Sequence, residues 1–127
     1  MKRSQMLIKL SREHHAALVL ARRAQTKLQN NDVTTKLMAD FPSRWNNDLV
    51  PHFAEEERTL VPRLQAEGPS PLAERLLEDH GRLRLLSARI IAGESSVLPE
   101  FGKLLSGHVR FEERELFPYY EQLVDAH

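Results

Sequence analysis

Apolar residues recur along this chain at intervals of three and four, the period of an amphipathic helix. Four segments carry the pattern. The first stripe reads Leu7, Leu10, Ala17, Ala21, Ala24 and Leu28, with His14 in its middle. It predicts a helix from Ser4 to Gln29, broken by Asn30-Asn31-Asp32. The second segment runs from Thr34 to Ala66 and turns Trp45, Leu49, His52, Glu56, Leu60 and Leu64 to one face. Pro42 is expected to mark a break or fresh start in it, because proline lacks a donor and restricts the residue before it. Pro51 and Pro62 are expected to kink the helix rather than end it. Gly68 terminates the segment. Ser70 caps the next one and Pro71 opens it. The third stripe is Leu72, Leu76, His80, Leu83, Leu86 and Ile90, halting at Ala92-Gly93. The fourth begins near Pro99, presents Leu98, Phe101, Leu105, His108, Glu112, Leu116, Tyr119 and Leu123, and ends near Asp125. Strand signals are nearly absent. Four such helices with short connections predict an all-α, up-down-up-down antiparallel four-helix bundle, a single domain over residues 1–127.

The second and fourth stripes share a motif. The eleven residues from His52 to Pro62 recur from His108 to Pro118, six of them identical, as His-x-x-x-Glu-Glu-Arg-x-Leu-x-Pro. Positions i and i+4 share a helix face, so His52 stands beside Glu56 and His108 beside Glu112. The first and third helices carry Glu13-His14 and Asp79-His80. The chain therefore reads as two α-hairpins of one design, related by an approximate two-fold.

Composition narrows the chemistry. The 127 residues carry no net charge, which gives no electrostatic case for nucleic acid or an anionic membrane. There is no cysteine, which excludes disulfides, thiolate metal sites, iron–sulfur clusters and a cysteine nucleophile. The N-terminus lacks a signal-peptide apolar run, and no stretch reaches the ~20 apolar residues of a membrane span. A cytoplasmic monomer or small homo-oligomer is expected.

His14, His52, Glu56, His80, His108 and Glu112 all fall on inward stripes. Burying ionised groups without partners costs several kcal/mol each, and a bound cation removes that cost. A purely polar core network is the competing reading, but it needs six groups in register to find partners by coincidence. Imidazole with carboxylate suits iron, manganese, zinc or copper and argues against calcium or magnesium. Two metals, each with two His and one oxygen from each of two bridging Glu, would have four protein ligands apiece. A bridging oxo or hydroxo group makes five, and an octahedral ion keeps one position for O₂, NO, peroxide or another small ligand. The order differs from ferritin-like bundles, which use Glu-x-x-His.

Arg12-Glu13-His14-His15, His52-x-x-x-Glu56, Glu78-Asp79-His80 and His108-x-x-x-Glu112 together make the sequence resemble a hemerythrin-like (HHE cation-binding) domain over essentially the whole chain. The resemblance implies a non-haem di-iron centre used for O₂ carriage, O₂ or redox sensing, or responses to iron or NO. Two departures separate the chain from the O₂ carriers. Their third helix has His-x-x-x-His, where this chain has Arg84 four residues after His80. Their fourth helix supplies Asp five residues after its His, where this chain has Glu113, with Glu112 one place earlier. The sequence is nearer the four-His members.

His14 is preferred to His15, which is expected to be exposed or a supporting partner. Glu55, Glu57 and Glu113 are expected to be solvated or paired with nearby Arg; the alternatives are an extra metal ligand or a carboxylate that orients a His. Glu13 and Asp79 are expected to point away into salt bridges. Arg58 and Arg114 are candidates to pair across the hairpins. Phe53, Phe111, Trp45, Phe117 and Tyr119 are expected in the core, with the lining of a pocket over an open coordination position as the alternative; Tyr119 or Tyr120 is an alternative ligand, and His127 is expected to be disordered. The function expected is a di-iron protein that binds or senses a small diatomic or peroxide ligand, with weak peroxidase- or catalase-like chemistry. Iron storage or a structural metal is one alternative, and a di-metal oxidase or hydrolase another.

Overall fold

A computed structural model describes residues 4–26 and 31–125. Leu28, Asn30, His127 and the expected helix end at Gln29 lie outside the described residues. Ser4 Oγ accepts from the Leu7 N–H at 3.2 Å and opens α1 (Gln5–Gln25). α2 (Asn31–Arg44) runs through a π-helical turn at Trp45–Leu49 into α3 (Val50–Ala66) without interruption. Ser70 caps α4 (Pro71–Ile91) as expected, accepting from the Ala73 N–H at 3.2 Å. A 3₁₀ turn at Ser95–Val97 leads into α5 (Leu98–Phe111), which continues through a second π turn at Glu112–Leu116 into α6 (Phe117–Asp125). These pieces make the four long rods of a four-helix bundle, and the described residues contain no strand. No helix among them is long and apolar enough to cross a membrane.

Pro42 neither breaks nor starts a helix. It sits inside α2. A proline in a helix interior costs ~3 kcal/mol. Phe41 and Trp45 are buried on either side, their rings stacked 6.4 Å apart and both meeting Phe101 edge-on. Burial of such side chains, at about 2–3 kcal/mol each, outweighs the local penalty.

Pro51 and Pro118 each follow a π turn, whereas Pro62 lies inside regular α3. Val50 N–H bonds Trp45 O and Phe117 N–H bonds Glu112 O, each just before a proline, Pro51 or Pro118. A proline ring clashes with the carbonyl four residues back, which here belongs to Asn47 or Arg114. Each lies within a π turn, whose wider pitch relieves the contact. The turn at Glu112–Leu116 also shifts the helix face by one residue. Leu116, Phe117 and Tyr120 are therefore buried, while Tyr119 is 45% exposed. The regular 3.6 period wrongly turned Tyr119 inward.

α1 packs on α5, α5 on α4, α4 on α3, and α1 on the π turn at Trp45–Leu49. Each rod thus neighbours those next to it in the chain, and the first neighbours the last. The buried apolar residues form two separate clusters. One joins Ala17, Phe41, Phe53, Leu83 and Phe101; the other joins Leu10, Leu60, Leu76, Leu116 and Phe117. Buried polar residues lie between them.

Two glycines act oppositely on this packing. A Cβ on Gly102 would lie 2.6 Å from Ala21 O and 2.7 Å from Gln25 Cγ, so α1 and α5 approach closely because Gly102 has no side chain. Gly81, inside α4, has open space around it. Gly102→Ala should therefore destabilise the fold by about 1–3 kcal/mol through overpacking. Gly81→Ala should stabilise it by roughly 0.5–1 kcal/mol through helix propensity. Urea unfolding of the two variants beside the parent checks both signs.

Candidate metal centre

The polar layer between the clusters consists of the six side chains expected from the stripes. His14, His52, Glu56, His80, His108 and Glu112 are each at most 4% exposed. The i, i+4 spacing on α3 puts His52 Nε2 3.2 Å from Glu56 Oε2, and that on the last rod puts His108 Nε2 3.2 Å from Glu112 Oε2. The remaining contacts cross between hairpins: His80 Nε2 lies 3.0 Å from Glu56 Oε1, and His14 Nε2 lies 2.8 Å from Glu112 Oε1. Each carboxylate thus gives one oxygen to each hairpin. Two overlapping groups result, His14, His52, Glu56 and Glu112, and Glu56, His80, His108 and Glu112. The facing atoms of each group lie within 4.8 Å of one another.

A second ring of carboxylates fixes the imidazoles. His14 Nδ1 donates to Glu113 Oε2 at 2.7 Å and His52 Nδ1 to Glu13 Oε1 at 2.9 Å. His80 Nδ1 donates to Glu57 Oε2 at 2.6 Å and His108 Nδ1 to Asp79 Oδ2 at 2.9 Å. The pattern obeys the repeat. The acid before the first His of each hairpin serves the second His of the same hairpin. The acid after each inner Glu serves the opposite hairpin. Cationic or hydroxyl groups back this ring: Arg84 pairs with Glu57 at 2.7 Å, Lys9 with Glu13 at 3.4 Å, Arg75 with Asp79 at 3.4 Å, and Ser11 Oγ donates to Glu113 at 2.7 Å.

An ionised carboxylate only accepts, so these contacts place each imidazole proton on Nδ1. Every Nε2 then turns a lone pair toward a carboxylate oxygen. Such contacts repel unless positive charge, as protons or metal ions, sits among them. Glu56 Oε2, Glu112 Oε2 and His108 Nε2 are buried with no hydrogen-bond partner despite the 3.2 Å approaches. Without a metal, protons redistribute. Burial and the facing Glu112 carboxylate push Glu56 well above the usual carboxylate range. For Glu112, burial acts upward, but the charge of His108 and the close approach of Glu56 and His14 outweigh it and hold the group well below that range. Burial opposes charge on His108 too, yet Glu112 and Asp79 raise it to about 9. Burial and the neighbouring His108 lower His80 to about 4, and burial lowers His52.

Several expectations change. Glu13 and Asp79 do not point away: each holds a His of its own hairpin, and Asp79 is buried. Their salt bridges exist as well, on the outer side. Glu57 and Glu113 are the orienting carboxylates named as an alternative, and Glu57 is at the same time paired with an Arg. The signal was available, since acidic residues occupy all four positions in both copies of the repeat. Glu55, whose counterpart is Phe111, instead pairs with Lys9 at 2.6 Å. His15 is exposed. Tyr119 lines a surface pocket with Leu64 and Pro69. Arg58 lies 4.0 Å from Glu55 on its own helix and Arg114 lines a cleft beside α4; among the described residues neither pairs across the hairpins.

Four imidazoles around two shared carboxylates, in the middle of a four-helix bundle, define a helical protein with a polar centre able to bind metal. The chain matches the family model for the hemerythrin HHE cation binding domain over residues 5–120, and it belongs to that family. No curated protein and no solved structure matches the chain.

The unequal protonation of the two inner carboxylates gives a test in metal-free protein. Glu112→Gln removes the charge that compensates His108 and should cost on the order of 3 kcal/mol of stability. Glu56→Gln replaces a carboxyl that already carries its proton and should cost less than about 1 kcal/mol. Urea unfolding after chelator treatment measures both; equal losses would contradict the assignment.

Proposed function

We propose that the six inner side chains hold a non-haem di-iron centre that binds or senses a small ligand, O₂, NO or peroxide, or the redox state itself. The carrying observation is the sharing of Glu56 and Glu112, whose oxygens divide between two imidazole pairs. One ion would use one group of four. Two groups with common carboxylates suit two ions. The donor set fits iron, and equally zinc or manganese. An iron pair held by these residues would supply redox chemistry and Lewis acidity toward a small ligand.

The chain's own residues supply the rest. Glu13, Glu57, Asp79 and Glu113 fix the imidazole tautomers and ring orientations. The apolar clusters on either side exclude bulk water. All six inner residues are buried, which leaves no open face for a large substrate and favours the small-ligand reading over a hydrolase or oxidase. Iron storage or a structural metal is separated from it by ligand response.

Protein purified without oxygen and then exposed to air should contain about two irons per chain, as in other di-iron bundles. Its near-ultraviolet bands should change on reduction or on adding a small ligand. Zinc or no metal, with no spectral response after iron reconstitution, would overturn the proposal. Glu56→Ala or His108→Ala should lose at least one ion. Asp79→Asn keeps every inner donor and should weaken metal affinity about 10–100-fold, read by competition with a chromogenic chelator.

A further inference from the structure

The faces of α4 and α5 form a cleft that the polar centre does not use. Its wider lobe, about 370 Å³, is lined by Arg75, Arg82, Glu100, Lys103, Leu104 and Gly107. A second lobe of about 270 Å³ shares Arg75 and Gly107 and adds Arg110, Phe111, Arg114 and Glu115. Helical spacing explains the alignment. Arg75 and Arg82 stand two turns apart on α4, while Lys103, Gly107, Arg110 and Arg114 follow steps of four, three and four along the last rod.

Five basic side chains here face two acidic ones, in a chain with no net charge. The neutralisation is partial. Arg82 lies 3.7 Å from Glu100 and Arg75 3.4 Å from Asp79. Lys103, Arg110 and Arg114 form no ion pair among the described residues. The Arg75 guanidinium rests 4.4 Å over the Phe111 ring, which holds it at the junction of the lobes. An added Cβ on Gly107 would meet nothing within 4 Å, so this glycine leaves the floor of the cleft open.

We propose that this cleft binds a phosphate-bearing small molecule. The phosphate sits among Arg75, Arg110 and Arg114, and the rest of the ligand runs along Leu104. Guanidinium groups match phosphate oxygens with two-point hydrogen bonds, and a concave surface with an excess of positive charge concentrates anions. The wider lobe alone falls within the range of small-ligand sites, roughly 300–1,000 Å³. The site does not depend on metal in the core. Arg75 nevertheless connects it to the core, through Asp79 and the 2.9 Å hydrogen bond to His108.

Titration calorimetry of the full chain with ribose 5-phosphate, inorganic phosphate and neutral ribose tests the proposal. Both phosphates should bind, more weakly as salt rises, and ribose should not. The exposed pair Arg110→Gln with Arg114→Gln should lose about tenfold or more in affinity, as expected for charged hydrogen bonds. Gly107→Leu keeps every charge, fills the floor, and should weaken ribose 5-phosphate binding as well. Absence of phosphate binding by the parent, or unchanged affinity in both variants, would overturn the site. Binding of a polyglutamate peptide without ribose 5-phosphate would also overturn it, in favour of a protein-docking surface.

Discussion

Two carboxylates held side by side in a dry core are the constraint on which the rest of this structure depends. Glu56 and Glu112 are fully buried and face each other across the bundle axis. Like charges in such a place are strongly unfavourable unless something positive lies between them. The four imidazoles present lone pairs to the same space, so they do not solve the problem as neutral rings. Protons do so partly, on Glu56 and His108. Two metal ions would do so for all the inner atoms at once. The outer carboxylates then become intelligible, because they commit each Nδ1 proton outward and leave the inner nitrogens as donors of electron pairs.

The fold protects that arrangement by dividing its core. Apolar clusters above and below the polar layer contain nearly all the large buried side chains. The layer is crossed by rings that serve both purposes. Phe53 stacks on His80 at 3.9 Å and Phe117 on His14 at 5.5 Å. Their counterparts in the repeat are Val109 and Val61, so the two hairpins match in polar ligands but not in apolar support. The π turns break the symmetry again. One precedes His52, while the other begins at Glu112 itself. The two candidate metal positions therefore have equivalent donors in unequal surroundings.

Much of this was legible in the chain. A stripe that accepts His and Glu in place of Leu marks a buried polar layer, and its repetition on four helices located all six inner residues. Ser70, Pro71 and Gly68 gave helix ends through local backbone chemistry. The failures share a cause. Pro42 reads as a breaker because the penalty is local, whereas the aromatic packing that overrides it joins residues far apart in sequence. Tyr119 reads as inward because a regular helix was extrapolated through a π turn.

By itself the sequence determined the four rods, most of the faces they bury and the six His and Glu of the polar layer, because each follows from periodicity and side-chain chemistry within one helix. Only the tertiary structure decided which carboxylate oxygen meets which imidazole, and that Glu13, Glu57, Asp79 and Glu113 turn inward to hold the rings. Glutamate and aspartate beside a histidine can reach water as readily as a neighbouring helix. The choice is made by the interhelical approach, set in part by Gly102 between α1 and α5, and helical periodicity carries no information about that distance.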